Sequence, residues 1–257
     1  MYTVGATLAI VTASPTPIPR ALVIAWGLEE APRRGPRREL THDAIARAAV
    51  AIADDGGLGA VTMGRVAASL GFTTMSLYRY VSNKDELVML MQDAATEIVG
   101  EVAVSTDDWR QGLRDIAALH LQLYARHPWF LDVPLSLEGV LMPNNIRVAD
   151  ATYRAMRTLP ADDALKQAVL LSLSMYVRAF GLLHRDLRAK DAPDISAETI
   201  DLLGQVVTPE RFPDLAPVFR SGGYAGDDPG NSDGTDDFGI GLELFLSGLE
   251  AKVSAPD

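Results

Sequence analysis

The sequence predicts an all-α protein in two parts, a three-helix helix-turn-helix domain near the N-terminus joined to a larger helical bundle. Three observations predict it. After residue 40, apolar residues recur at intervals of three and four; no stretch alternates apolar and polar residues as a half-buried strand would; and two short helical patterns flank one tight glycine turn at Gly71.

Residues 1–40 contain Pro15, Pro17, Pro19, Pro32 and Pro36 and a 33–38 run holding Arg33, Arg34, Arg37 and Arg38. They read as a flexible, partly basic arm and not as a packed element. Residues 41–88 form the small domain. Thr41 is a good N-cap, Ala44, Ile45, Ala48, Ala49 and Ile52 share one helical face, and Gly56-Gly57 ends that helix. Thr62 caps a second helix over 63–70, a third is expected over 73–80, and Ser82-Asn83 caps a fourth. Asp85 and Glu86 in its first turn oppose the positive end of the helix dipole.

Residues 89–257 keep the helical period. Helices are expected over 108–126, 145–158, from Asp163 to about residue 188, over 196–207 and from Phe238 to residue 253. His127-Pro128 and Leu159-Pro160 mark helix ends, because the residue before a proline is pushed out of the helical region. Between 221 and 237, Gly, Asp, Ser, Asn and Pro crowd together as in a mobile loop.

The chain has 257 residues, 48% of them hydrophobic, which suffices for ordinary buried cores. It has no cysteine, so disulfides, thiolate nucleophiles and zinc-thiolate sites are excluded, in keeping with a reducing compartment and an expected cytoplasmic location. The apolar stretches at 4–11 and 22–26 are too short to cross a bilayer, and no membrane partner is expected. The net charge of −11 is unevenly distributed. Residues 33–90 hold eight Lys/Arg and six Asp/Glu, a net of +2, which leaves −13 for everything else. A small basic head on an acidic body suits binding to phosphates by the head only.

The informative chemistry lies in residues 61–87. In the first short helix Val66, Ala67 and Leu70 face inward, and the small Ala67 lets the next helix cross closely. In the second, Leu77 and Val81 face inward, leaving Thr73, Thr74, Ser76, Arg79 and Tyr80 outside. Short hydroxyls with one arginine and one tyrosine reach base edges and phosphates in a major groove, and do not make a catalytic set.

This stretch, with Leu70-Gly71-Phe72, Leu77-Tyr78-Arg79-Tyr80-Val81 and Lys84-Asp85-Glu86-Leu87, resembles the DNA-binding domain of the tetracycline-repressor (TetR) family. About ten positions over roughly twenty-five residues carry the likeness. The resemblance implies that the 73–80 helix is the recognition helix and that Thr62, Thr74, Tyr78, Tyr80 and Lys84 face DNA, with Lys84 touching a phosphate. Arg65, Thr73, Ser76 and Arg79 complete the expected DNA-binding set. Tyr78 is open to packing between helices as well as to DNA contact. Gly64 departs from relatives that often carry arginine there, which bears on which operator is read.

The likeness continues through Arg126-His127-Pro128-Trp129 and the final apolar helix, which look like that family's effector and dimerisation domain. His120, Tyr124, His127, Trp129, Met142, Asn145, Tyr153, Met156, Tyr176, Phe180 and His184 are the candidates for lining a ligand cavity, and each equally suits a bundle core. The expected partners are double-stranded operator DNA, a hydrophobic or polyaromatic small-molecule effector, and a second copy of the chain. The copies are expected to pair through the helix from Asp163 and the helix from Phe238. Ile240, Leu242, Leu244, Phe245, Leu246 and Leu249 argue for burial there, with Gly241 and Gly248 permitting close approach.

No catalytic residue, cofactor or metal site is expected. His120 and His127 lack a carboxylate partner, and the acidic 227–234 loop puts Pro229 and Ile240 where a calcium loop needs carboxylates. No nucleophile elbow, Walker loop or H-E-x-x-H motif is present. The expected function is therefore that of a repressor released from its operator by an effector. Activation in place of repression, or an all-helical enzyme with a vestigial helix-turn-helix, are the alternatives.

Overall fold

A computed structural model describes residues 18–28, 40–97, 103–187, 197–220 and 235–255. The 33–38 arginine run and the 221–234 part of the expected loop lie outside them. Among the described residues every regular element is helical. In chain order they are α1 (Arg20–Ala25), α2 (His42–Gly56), α3 (Met63–Ser69), α4 (Thr74–Tyr78), α5 (Lys84–Thr96), α6 (Trp109–Arg126), α7 (Leu137–Val140), α8 (Pro143–Ala155), α9 (Asp163–Leu187), α10 (Ala197–Val206), α11 (Ala216–Arg220) and α12 (Thr235–Ser254). Short 3-10 turns occupy Leu58–Ala60 and Pro128–Asp132.

The chain divides into two compact units. The first takes residues 1–101 together with 132–148, and the second takes 102–131 and 149–257. The chain passes from one to the other inside α8, a continuous helix. α5 and the segment around α7 thus fall in the first unit.

In the first unit, α2 packs lengthwise on α5, and α3 and α4 close the remaining side. Ile45, Ala49, Val61, Val66, Leu77, Val81, Leu87 and Met91 are fully enclosed. Ile45, Ala49, Val66, Leu77 and Val81 are among the residues that the sequence spacing places on the inner faces, and burial of that apolar stripe fixes how the helices dock. A polar joint holds the start of α8 to α5. The Asn144 backbone N–H donates to Asp93 Oδ1 at 2.8 Å, and its side-chain amide donates to the Asp93 carbonyl at 2.8 Å. Asp93 thus caps a helix that is not its own. Burial nevertheless raises its carboxyl above the ordinary range, outweighing the Asn144 hydrogen bond and the charge of Arg147.

In the second unit α6 lies along α9, with Leu113, Ile116, Ala117 and Leu123 facing a core that includes Val169, Leu173 and Val177. α12 joins them through Leu242, Leu246 and Leu249, all buried. Arg114 grips Glu243 with two hydrogen bonds, Nε to Oε1 at 2.6 Å and Nη2 to Oε2 at 3.0 Å, and Arg110 bridges Glu243 to Glu250. The paired guanidinium of Arg114, with that of Arg110, holds the Glu243 carboxyl below the usual range.

Three expectations change. Residues 20–25, assigned to the flexible arm, form α1, whose Ala21 and Leu22 are buried and which packs on α5. Six residues show too little periodicity to announce a helix. α4 stops at Tyr78, because Tyr80 and Val81 both return their N–H groups to the Leu77 carbonyl and close the helix in a turn. The apolar final helix is half accounted for within its own chain, since Leu242, Leu246 and Leu249 are core and Gly241 seats the Tyr176 hydroxyl, which donates to the Phe238 carbonyl at 2.7 Å.

Candidate DNA-binding surface

The helix-turn-helix is assembled by local hydrogen bonds. Thr62 Oγ1 accepts from the Arg65 N–H and starts α3; Thr73 Oγ1 accepts from the Ser76 N–H and starts α4, both at 3.2 Å. Between them Phe72 N–H donates to the Ala67 carbonyl at 2.9 Å and Gly71 N–H to the Ala68 carbonyl at 3.1 Å, the paired bonds of a Schellman cap. That cap needs a left-handed residue, and Gly71 has φ of 77°. The chain is thereby turned sharply enough for Leu77 to enter the core beside Val66 and Ala67.

With Leu77 and Val81 inward, α4 presents Thr73, Thr74, Tyr78 and Arg79 to solvent, while Ser76 and Tyr80 are half-buried. Ser76 Oγ lies 3.0 Å from Thr73 Oγ1, and the Tyr80 ring meets the His42 ring edge-on at 5.7 Å. Tyr80 is therefore less free than its sequence position suggests. Tyr78 is 47% exposed, which favours the outward of its two readings. Lys84 is the first residue of α5, exposed, with its Nζ 3.5 Å from the Leu58 carbonyl. On α3, Thr62 and Arg65 are exposed, and Arg65 stands 3.6 Å from Asp55.

A Cβ built on Gly64 would lie 3.7 Å from Thr74 Oγ1, so the bare α3 backbone at Gly64 adjoins the start of α4. Sequence reasoning passed over Met75, the second residue of α4, which is 76% exposed. The available signal was an apolar residue on a helix face otherwise made of hydroxyls, suited to the methyl group of thymine. α4 is only about 7.5 Å long, so it can address the edges of about two or three base pairs.

The ligand candidates fall into groups. His120, Tyr124, Trp129 and His127 form an aromatic chain in the second unit with Phe130, which sequence reasoning omitted; neighbouring ring centroids are 5.8 to 6.3 Å apart. Tyr176, Phe180 and His184 form another with Phe238, also omitted. The two approach each other at Gly181, where a Cβ would come within 2.9 Å of the Tyr124 ring. Burial lowers the basicity of His120, against the hydrogen bond its Nδ1 makes with the Ile116 carbonyl at 2.9 Å, and raises the Tyr124 hydroxyl.

Trp129, Met142 and Met156 are fully enclosed. Tyr153 donates to Gln167 Oε1 at 3.0 Å, and Asn145 donates to the Gly139 carbonyl at 2.7 Å. Met142 and Asn145 belong to the first unit and are not brought to the aromatic chains by the fold of the second. Among the described residues, no group of three His, Asp or Glu side chains is placed to hold a metal, and no helix is long and apolar enough to cross a membrane.

Residues 45–90 match the family described as bacterial regulatory proteins, tetR family, and residues 103–253 match the tetracyclin repressor-like C-terminal domain. The HTH-type transcriptional repressor DrrR1 of Streptomyces coeruleorubidus is 34% identical over 246 residues, which cover 92% of this chain and 87% of the relative. An HTH-type transcriptional regulator of Saccharopolyspora erythraea is 29% identical over 141 residues, 54% of this chain and 58% of its own. The same fold occurs in ActR of Streptomyces coelicolor in complex with actinorhodin, with TM-score 0.67 at 24% identity, covering 85% of this chain and 99% of that one. A head built around a Schellman-turned helix pair, a helical body matching the family's C-terminal domain, and a repressor aligned along nearly the whole length establish that the chain belongs to the TetR family of DNA-binding transcriptional regulators.

Proposed function

We propose that this regulator is a repressor that binds its operator as a homodimer and is released by a hydrophobic, polyaromatic effector. The observation that carries the reading is the outward set Thr74, Met75, Tyr78 and Arg79 on a helix anchored by the buried Leu77, with Lys84 exposed at the N-terminus of the next helix. In the assigned roles, Lys84 holds a phosphate while Thr74 and its neighbours meet base edges. The repressor sign follows the relative DrrR1.

The dimer uses the outer stripes of α9 and α12. On α9, Ala164, Ala168, Leu171, Met175, Ala179 and Leu183 are exposed at helical spacing; on α12, Ile240, Leu244, Gly248 and Ala251 are. Two helices from each chain make a four-helix interface, and among the described residues nothing beyond the backbone of α12 itself lies within 4 Å of a Cβ built on Gly248, leaving it open to a partner helix. The effector occupies the aromatic part of the second unit, where Tyr124, Phe130, Phe180 and Phe238 offer π faces. ActR, of the same fold, is complexed with actinorhodin in one structure and with (S)-DNPA in another. Release costs the operator complex what the effector gains by preferring a form whose heads are wrongly spaced.

The test is selection of bound sequences from random duplex DNA with the purified chain. A two-fold sequence with half-sites about 34 Å apart is expected. The selected duplex is then challenged with hydroxylated anthraquinones and actinorhodin, which should raise the melting temperature of the protein and weaken DNA binding. If no sequence is enriched, the DNA-binding roles fall; if none of the compounds does either, the effector class falls and the DNA-binding roles stand.

A further inference from the structure

The N-terminal segment before the helix-turn-helix is tied into the head at both ends, and we propose that Arg20, on α1, is a positioning residue that sets the recognition helix against α5. The proposal rests on the DNA-facing assignment of α4 and Lys84 made above. Arg20 Nη1 stands among three acceptors: the Tyr80 carbonyl at 3.1 Å, Ser82 Oγ at 3.0 Å and Glu86 Oε1 at 3.0 Å. All three lie on the short link between the end of α4 and the first turn of α5. That link fixes how far the base-reading residues stand from the phosphate-holding Lys84.

The arrangement is costly to break. Glu86 is 7% exposed, so its carboxylate depends on the guanidinium for compensation. The Tyr80 carbonyl is met from the other side by His42 Nε2 at 3.0 Å, so α1 and the first turn of α2 hold one peptide group between them. At the far end of the segment Trp26 Nε1 donates to the Leu141 carbonyl at 3.0 Å, just past α7, and Ala21 and Leu22 are buried between these anchors. α1 is therefore a strap across the head and the 132–148 part of the same unit. Arg20 itself points to the chain's own carbonyl and carboxylate groups.

Base-edge hydrogen bonds tolerate only a few tenths of an ångström, whereas phosphate contacts by a long lysine tolerate more. Loosening the link should therefore reduce sequence discrimination more than it reduces DNA binding as such. The measurement is the ratio of dissociation constants for the selected duplex and a scrambled one, taken at several salt concentrations well below the melting temperature. Arg20→Ala should lower that ratio about tenfold with the salt slope unchanged, and Arg20→Lys, which brings three donors on a shorter stem, should recover part of it. Glu86→Gln keeps the side-chain shape without a buried charge and reads the same joint should Arg20→Ala fail to fold.

An unchanged ratio in the folded variants overturns the proposal and leaves α1 a stabilising element only. A salt slope reduced by about 0.9 per half-site also overturns it, because Arg20 would then hold a phosphate directly. If the wild-type chain enriches no sequence, the DNA-binding surface is misassigned and the proposal falls with it.

Discussion

In the roles proposed for them, Lys84 and Thr74 would meet DNA through different physics, and single substitutions separate them. Lys84→Ala removes a point charge from an exposed helix N-terminus. It should weaken binding to all sequences alike and reduce the salt slope of log K by about 1 per half-site. Thr74→Ala removes an exposed hydroxyl at the start of α4 and should leave that slope unchanged. It should cost about 1 kcal/mol or more on the selected duplex and little on random DNA. Fluorescence-anisotropy titrations at several salt concentrations check both; two variants that bind like the wild type would refute the placement of the recognition helix.

His120 supplies a residue-scale prediction in pH. Burial lowers its pKa in the fold from the usual 6.5, so between the two values the unfolded chain binds more protons than the native one. Stability then rises with pH through that window: the histidine's contribution is fully present above 6.5 and is lost as pH falls below it. His120→Gln should flatten the acid side of a melting-temperature profile between pH 7 and pH 5. The same steepness in wild type and variant would show that other groups dominate there.

At the scale of elements, the turn of the helix-turn-helix is where one glycine matters and another does not. Gly71→Ala forces an L-residue into φ of 77° while the Phe72 and Gly71 N–H bonds hold the cap, and should cost about 1–2 kcal/mol in urea unfolding. Gly64 lies within α3, and among the described residues beyond its own helix only Thr74 Oγ1, at 3.7 Å, stands within 4 Å of a Cβ there, so Gly64→Ala should stabilise by up to about 1 kcal/mol. Equal effects of the two would contradict the cap geometry.

These elements were legible because caps, glycine stops and apolar spacing agreed with one another over 41–97: Thr41, Thr62 and Asn83 each accept the hydrogen bond their sequence position implies. α1 was not legible, since its fixing contacts reach sixty residues or more along the chain, from Arg20 to Tyr80 and Glu86. The same holds for Asp93 capping α8 fifty-one residues away. Residue types for an aromatic cluster were visible in the body. Phe130 and Phe238 were not singled out, because which rings meet depends on how α6, α9 and α12 pack and not on spacing within any one of them.

For the whole molecule, charge and apolar surface divide the labour: the head carries the net positive charge within 33–90, and residues 91–257 carry −12 with exposed aliphatic stripes on two helices. Leu244 is 71% exposed on α12, whereas Leu242 and Leu246 beside it are core, so the two kinds of position can be tested separately. In a two-fold interface Leu244→Glu buries a carboxylate on each side near its symmetry mate. It should convert a micromolar dimer into monomers by light scattering while leaving the melting curve of the protomer cooperative. Leu246→Ala should instead lower stability by about 2–5 kcal/mol, with any dissociation following from unfolding. Monomers should also bind the selected duplex at least a hundredfold more weakly, because each head then engages its half-site without the effective concentration supplied by its partner. A Leu244→Glu protein that stays dimeric would move the interface off α12, and one that becomes monomeric yet binds the duplex undiminished would show that the two heads do not act together.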